Sequence, residues 1–301
     1  MDRRQKVEMV RMVGNAVKFS CPMAKHTTFR VGGEAEALYE AENTTELCRV
    51  LGYLAEEKIP YMAVGKGSNL LVKDGGLRGV VIMLAGSLAD LHVKRGKDIL
   101  AGAGLSVTDL LARCREEGLA GLEFLAGIPG TVGGAVAMNS GAFGKEISSR
   151  VIEMQVATPC REISLRGWSG LRFSYRGLAL EEGALITQVS FCLDRGEKKA
   201  VSARIADYLK RRKKRQPIEY PSAGSVFKNP SGDYAGRLIE RTGLKGKRIG
   251  GAMISNRHAN FIVNRGGATA ADILALIDLA RKEVRGNSGV DLELEIIVAG
   301  D

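Results

Sequence analysis

An α+β fold is what this 301-residue sequence predicts, and three observations predict it. Helix-period stretches and short β-rich stretches mix irregularly along the chain and do not alternate strictly. The apolar fraction of 45%, with 26% charged residues, belongs to a chain that buries a core and excludes a disordered one. Glycine fills 38 of the 301 positions and clusters, which calls for many tight turns or for backbone held close to a ligand.

Taken in order, the first twenty residues read either as an exposed amphipathic helix or as a disordered lead. From Asn43 the stretch NTTELCRVLGYLAEEK predicts a helix, with Asn43 and Glu46 as a capping pair and Leu47, Val50, Leu51 and Leu54 on one face. SVTDLLARCREEG repeats the device: Ser106 caps, Val107, Leu110, Leu111 and Cys114 form the stripe, and Gly118 stops it. A third helix is expected from about Lys198 to Arg212, ended by Pro217. A fourth, from Thr269 to Gly286, places Ile273, Leu276, Ile277, Ala280 and Val284 on one side. Residues 61–64, 79–84, 151–157, 184–191, 260–263 and 292–299 are short, β-rich and bounded by turn formers, and read as strands. Charge and glycine in DRGEKK (194–199) mark an expected boundary between a domain of residues 1–197 and one of residues 198–301, with the last strand returning to the cleft.

Charge and composition narrow the function. With 44 Lys+Arg against 34 Asp+Glu the net charge is +10, which favours anionic partners without choosing among them. No apolar run approaches the length of a spanning helix and the first twenty residues are charged throughout, so neither membrane insertion nor a secretory signal is expected. Five cysteines form no CxxC pair and histidines number three, too few at usable spacing for structural zinc; no metal is expected, and a reducing cytoplasm is.

Two glycine loops carry the strongest chemistry. GKGSNLLV (65–72) follows the first expected strand; its N–H groups can form an anion nest, with Ser68 and Asn69 adding side-chain donors. It is neither a dinucleotide fingerprint nor a P-loop, and a plain hairpin turn is the other reading. AGIPGTVGGAVAMNSGAFG (126–144) carries no charge at all, as backbone lying against a large flat ligand requires; a tightly packed structural crossover is the alternative.

Further on, KRRKKR (210–215) reads as a solvated helix end or an anion site. Nucleic-acid binding lacks support, since aromatics are 5% and no reading motif is present. In PSAGSVFKNP (221–230) small residues leave Ser225 open to a ligand, flanked by Lys228 and Asn229, with no nucleophile elbow around it; a hydroxyl proton donor stays open beside ordinary turn chemistry. In GVDLELEIIVAG (289–300) the alternation puts Glu293 and Glu295 on one face, and pattern alone prefers neither.

Together TTFRVGG (27–33), GKGSNLLV, AGIPGTVGGAVAMNSGAFG, FSYR (173–176), PSAGSVFKNP, SNRHANFIVN (255–264) and GVDLELE (289–295) resemble the UDP-N-acetylenolpyruvoylglucosamine reductase family, in the family's order and from about residue 20 onward. The resemblance implies an FAD-binding domain of the PCMH/vanillyl-alcohol-oxidase type followed by a smaller α+β substrate domain. It implies non-covalent FAD, since GKGSN offers no His or Cys tether, with NADPH as hydride donor and a sugar nucleotide as substrate. It assigns cofactor binding to Val64, Gly65, Lys66, Gly67, Ser68, Asn69 and Leu70, and to Gly127, Pro129, Gly130, Thr131, Gly133, Gly134, Ala135, Asn139, Gly141 and Ala142. Arg176 would stabilise developing charge, Ser225 would donate a proton, and Glu295 would hold an acidic proton or orient the substrate carboxylate. Tyr175, Arg215, Lys228 and Asn229 are the implied substrate contacts.

The sequence departs from the family's pattern in two places: Gly177 and Leu178 follow Tyr175-Arg176 where an Asp-Ser pair is usual, and Arg215 stands before QP where Lys is common. Only a few residues separate Arg176 from the next strand, so the chain resembles the family's shorter type, without a long tyrosine-bearing loop. The rivals are another flavin oxidoreductase of the same fold and a basic nucleic-acid-binding protein.

Overall fold

Several helices begin where the sequence supplies a side-chain acceptor for the first free N–H groups. The computed structural model describes residues 1–94 and 98–301. Among them are α1 (Arg3–Val13), α2 (Thr44–Glu56), α3 (Val107–Glu117), α4 (Val132–Ala137), α5 (Lys198–Arg215), α6 (Ala235–Arg241) and α7 (Ala270–Ser288). Asn43 Oδ1 accepts the Glu46 N–H at 2.8 Å before α2, and Ser106 Oγ accepts the Asp109 N–H at 3.0 Å before α3, which ends at Gly118 in the left-handed region (φ 64°). The helical reading of the first twenty residues holds for α1, which buries Met9 and Val13 and leaves Val7 and Val10 exposed. α5 runs three residues past its expected end at Arg212, and α7 passes Gly286 to stop at Gly289 (φ 69°).

Internal packing divides the chain into two units: residues 1–19, 37–65 and 78–210, and residues 20–36, 66–77 and 211–301. The first unit holds most of a four-stranded sheet in the order Val17–Pro22, Glu34–Ala41, Leu77–Leu84, Tyr61–Ala63. α2 lays Leu47, Val50, Leu51 and Leu54 against Ala37, Tyr39, Val80 and Ile82 in one apolar core. An antiparallel five-stranded sheet in the same unit runs Ile163–Gly167, Val151–Ala157, Leu185–Cys192, Asp98–Gly102, Leu91–Val93. It shares a second core with α3 and α4 through Leu110, Leu111, Val132, Val136, Val189 and Phe191. Glu34–Ala41 was not expected as a strand, yet its inward side chains are buried, so packing has overridden helix-favouring residues.

The second unit packs α6 and α7 on a small antiparallel sheet of Arg248–Ile249, Ala252–Ile254 and Ile262–Asn264. Ile297–Ala299 pairs in parallel with Leu70–Val72, which carries the chain's last strand back to the first glycine loop. The strand expected over 292–299 forms only at these last residues. Residues before it make a single antiparallel bridge, Leu294 opposite Phe227. No helix among the described residues is long and apolar enough to cross a membrane.

The start of α7 is the most completely satisfied helix end in this unit. Asp74 accepts the N–H groups of Ala270 and Ala271, each at 2.9 Å, while the Thr269 hydroxyl accepts that of Asp272 at 3.1 Å and Asp272 returns the bond to the Thr269 N–H. We expect Asp74→Ala to lower stability by about 1–2 kcal/mol in thermal or urea melts, since two donors lose their acceptor and a favourable charge leaves the helix start. A melt indistinguishable from wild type would refute the cap.

Candidate active site

Residues 126–144 are not one extended run. α4 occupies the middle, because Thr131 Oγ1 accepts the Gly134 N–H at 3.3 Å and Val132, Ala135 and Val136 turn into the core. The Val132 N–H donates to Leu105 O and the Gly133 N–H to Ala103 O, both at 2.8 Å. With these bonds the helix start is satisfied by protein. A Cβ on Gly133 would stand 2.8 Å from that of Ala103, and one on Gly65 would stand 2.5 Å from Thr131 Oγ1, so both glycines are required by close approach.

Beyond α4 the chain forms a hairpin of Gly141–Ala142 and Lys145–Glu146. Asn139, 1% exposed, commits its amide wholly to protein: Nδ2 donates to Glu146 Oε2 and to Ser174 O, each at 2.9 Å, and Oδ1 accepts the Ser148 N–H at 3.3 Å. Asn139 therefore joins this hairpin to the neighbouring one, Arg172–Ser174 with Gly177–Ala179, whose two-residue turn is Tyr175-Arg176. Arg176 sits at φ 60°, donates from Nη2 to Gly141 O at 3.3 Å and lies 5.0 Å from the centre of the Tyr175 ring. Gly177 after it closes the turn where the family usually has Asp.

In the second unit, Ser225 follows Gly224 (φ 76°) and begins the segment that pairs with residues 293–296. The Lys228 N–H donates to Glu293 O at 2.9 Å and the Glu295 N–H to Val226 O at 2.8 Å, which sets Ser225 and Glu295 on adjoining stretches of backbone. This register separates the two glutamates. Glu293 is exposed, with its carboxylate 3.5 Å from Lys228 Nζ, whereas Glu295 is half-buried, as is Ser225. Of the other expected substrate contacts, Asn229 is exposed and its Oδ1 accepts the Ala235 N–H at 3.1 Å at the start of α6; Arg215 and Tyr175 are exposed.

The first glycine loop connects to this pairing. Asn69 Nδ2 donates to Glu295 O at 3.0 Å, and Asn69 O accepts the Ile297 N–H at 2.9 Å. Gly67 has φ 58°, and a Cβ there would come within 2.2 Å of His26 O. Leu70 is buried and opens the strand; Val64 is buried, donating its N–H to Ile82 O at 2.9 Å.

These loops fit the cofactor the resemblance implies. The N–H groups of Lys66 and Gly67 donate to no described residue, which leaves donors for anionic oxygen. Gly127, Pro129 and Gly134 are exposed on a segment without a charged side chain, an edge that suits a flat aromatic ring system.

Asn260 is the residue bracing the Ser225 segment that sequence reasoning missed. Buried at 3% exposure, it holds both peptide groups after Ser225: Oδ1 accepts the Phe227 N–H at 2.9 Å, Nδ2 donates to Phe227 O at 2.8 Å, and its own carbonyl accepts the Val226 N–H at 2.9 Å. The motif SNRHANFIVN held the only signal for it, and gave no hint of its partner. His258 Nδ1 in turn accepts the Asn260 N–H at 3.2 Å, which requires that nitrogen to be unprotonated.

Comparison with known proteins matches residues 35–163 to an FAD binding domain and residues 216–299 to the C-terminal domain of UDP-N-acetylenolpyruvoylglucosamine reductase. Among curated relatives, the UDP-N-acetylenolpyruvoylglucosamine reductase of Geobacter metallireducens is 46% identical over 280 residues, covering 93% of each chain. That of Syntrophus aciditrophicus is 42% identical over 299 residues, covering 98% of this chain and 96% of its own. The crystal structure of UDP-N-acetylenolpyruvylglucosamine reductase from Thermus caldophilus superposes with a TM-score of 0.81 at 38% identity, covering 94% of this chain and 98% of that one. A VAO-type flavoprotein from Myceliophthora thermophila, 12% identical with a TM-score of 0.50 over 65% of this chain and 48% of its own, shares the fold.

Burial, reinforced by the Lys245 ammonium and opposed by Glu240, holds the His258 pKa below its ordinary 6.5. The unfolded chain therefore binds a proton that the folded one resists, so this contribution to stability is present above that value and lost as pH falls through it. We expect the melting temperature to decline between about pH 7 and pH 5, and His258→Gln to flatten that decline. Equal slopes in the two proteins would rule the histidine out.

Proposed function

The chain belongs to the UDP-N-acetylenolpyruvoylglucosamine reductase family, and from that membership we propose how its own residues carry out the NADPH-dependent reduction of UDP-N-acetylenolpyruvoylglucosamine to UDP-N-acetylmuramate, a step of peptidoglycan precursor synthesis. Residues of the two glycine loops would hold FAD, which when bound would supply the hydride chemistry between NADPH and the vinyl carbon of the substrate. Residues 1–197 are assigned to the cofactor and residues 198–301 to the sugar nucleotide, with the last segment contributing Glu295. The enzyme works in the cytoplasm on small molecules and binds no nucleic acid.

The chemistry left to the protein is charge and proton management. Hydride addition leaves negative charge at the neighbouring carbon, delocalised into the carboxylate. Arg176 answers this charge as a permanent, fork-shaped cation whose hairpin is fixed from behind by Asn139. Ser225 donates the proton that completes the reduction. A serine hydroxyl is a poor acid, so its transfer depends on the carbanion being close and on Glu295 orienting the carboxylate or holding an acidic proton. The observation that carries the reading is the pairing of residues 226–228 with 293–296. It puts Ser225 and Glu295 on adjoining backbone and leaves Glu293 outside, paired with Lys228. Lys66, Gly67 and Ser68 are assigned to the cofactor's phosphates; Lys228, Asn229 and Arg215 are assigned to the substrate's diphosphate and sugar, with Tyr175 beside them.

Anaerobic half-reactions test the assignment. Ser225→Ala is expected to bind FAD and to be reduced by NADPH as wild type is, but to reoxidise on adding the enolpyruvyl sugar nucleotide about 10²- to 10⁴-fold more slowly. Arg176→Lys keeps the charge without the fork and should slow the same step while sparing flavin reduction. A folded, FAD-loaded Ser225→Ala protein that lost both half-reactions equally would contradict the role given to the serine.

A further inference from the structure

The first glycine loop reaches Glu295 through a side chain, which a phosphate cradle has no need to do. Asn69 Nδ2 donates to Glu295 O at 3.0 Å, and its carbonyl accepts the Ile297 N–H at 2.9 Å. One residue thus grips the backbone on both sides of Ile296, which is itself buried. Immediately afterwards Leu70–Val72 pairs in parallel with Ile297–Ala299, so the grip stands at the end of a ladder. On the opposite side the Glu295 N–H donates to Val226 O at 2.8 Å. Both backbone polar groups of Glu295 are therefore fixed, one by the loop and one by the segment that carries Ser225.

We propose that Asn69 is a positioning residue for Glu295, the means by which the cofactor loop sets the carboxylate of the proton-delivering pair. The inference rests on the reading that Glu295 takes part in the reduction. Its physical content is geometric. Residues 292–296 form no continuous strand and have a single bridge pair, at Leu294. A short irregular stretch with few ladder bonds keeps a side chain in place only if its carbonyl and N–H are separately held. Asn69 supplies one of those holds. The cost of its loss should fall on the step that uses Glu295, because acid–base steps tolerate little displacement.

The test compares Asn69→Ala, Asn69→Ser and Glu295→Gln with wild type as purified FAD enzymes, measuring flavin affinity, anaerobic reduction by NADPH and reoxidation by the enolpyruvyl sugar nucleotide. Amide hydrogen exchange at Glu295 and Ile297 gives a readout independent of turnover. The expected result for both Asn69 variants, measured at saturating FAD because the loop is also assigned to the cofactor, is reoxidation slowed by about 10- to 100-fold more than reduction by NADPH, with faster exchange at the two amides. Reduction and reoxidation slowed by the same factor, with wild-type exchange at both amides, would overturn the proposal and leave Asn69 a cofactor ligand alone. Wild-type behaviour in every measurement would overturn it as an idle contact. Should Glu295→Gln itself reoxidise at the wild-type rate, the reading of Glu295 fails instead, and that outcome is separate because it does not involve Asn69.

Discussion

One strip of backbone hydrogen bonds underlies the site proposed for this chain. From Asn260 it runs through residues 226–228 to residues 293–296, and from there to Asn69 and the strand Leu70–Val72. Each partner in the strip is irregular by itself: a turn after Gly224, a stretch with one bridge pair, a glycine loop. Their backbone polar groups must still be paired where they are buried, and the strip is how this is done. Side-chain amides appear at two of its joints because an asparagine can accept and donate at once, and so can close a ladder that no neighbouring strand continues. Ser225 and Glu295 owe their placement to this arrangement more than to packing of their own side chains.

A parallel solution holds Arg176. Its turn is only two residues long, and its backbone lies in a region that non-glycine residues visit rarely. The buried amide of Asn139, bonded to Ser174 O and Glu146, ties that turn to the hairpin that presents Gly141 to the guanidinium. The uncharged glycine segment thus does two things in one unit: it forms an open edge around Gly127 and Gly134, and it braces a cation.

Much of the fold was legible because its signals are local. The caps at Asn43 and Ser106 and the stop at Gly118 act within a single turn, and the strand Val151–Ala157 stood where its composition put it. Where tertiary pairing decides, the sequence was silent or misleading. Glu34–Ala41 is built from helix-favouring residues and is a strand; the alternation over 292–299 suggested a full strand but only three residues form one; α4 appeared inside a run of glycines because Thr131 caps it and the core takes its apolar side. The proposed site was read as a set of residue types, through the order of seven motifs. Which glutamate stands beside Ser225 was not, since Glu293 and Glu295 differ only in register, and register is set by Phe227 opposite Leu294. Asn260 had no signal of its own, because the peptide groups its side chain holds lie more than thirty residues away.

The connectivity of the two units has a consequence for how such a protein can be dissected or recombined. The chain crosses between them at residues 19/20, 36/37, 65/66, 77/78 and 210/211. No single truncation therefore yields either unit whole, and a fragment beginning at α5 would lack both the segment around Phe29 and the strand Leu70–Val72 that complete its core. A functional exchange between relatives would have to transfer three separate stretches of gene together, so the unit bearing Ser225 is inherited as an interleaved whole and cannot travel as a cassette.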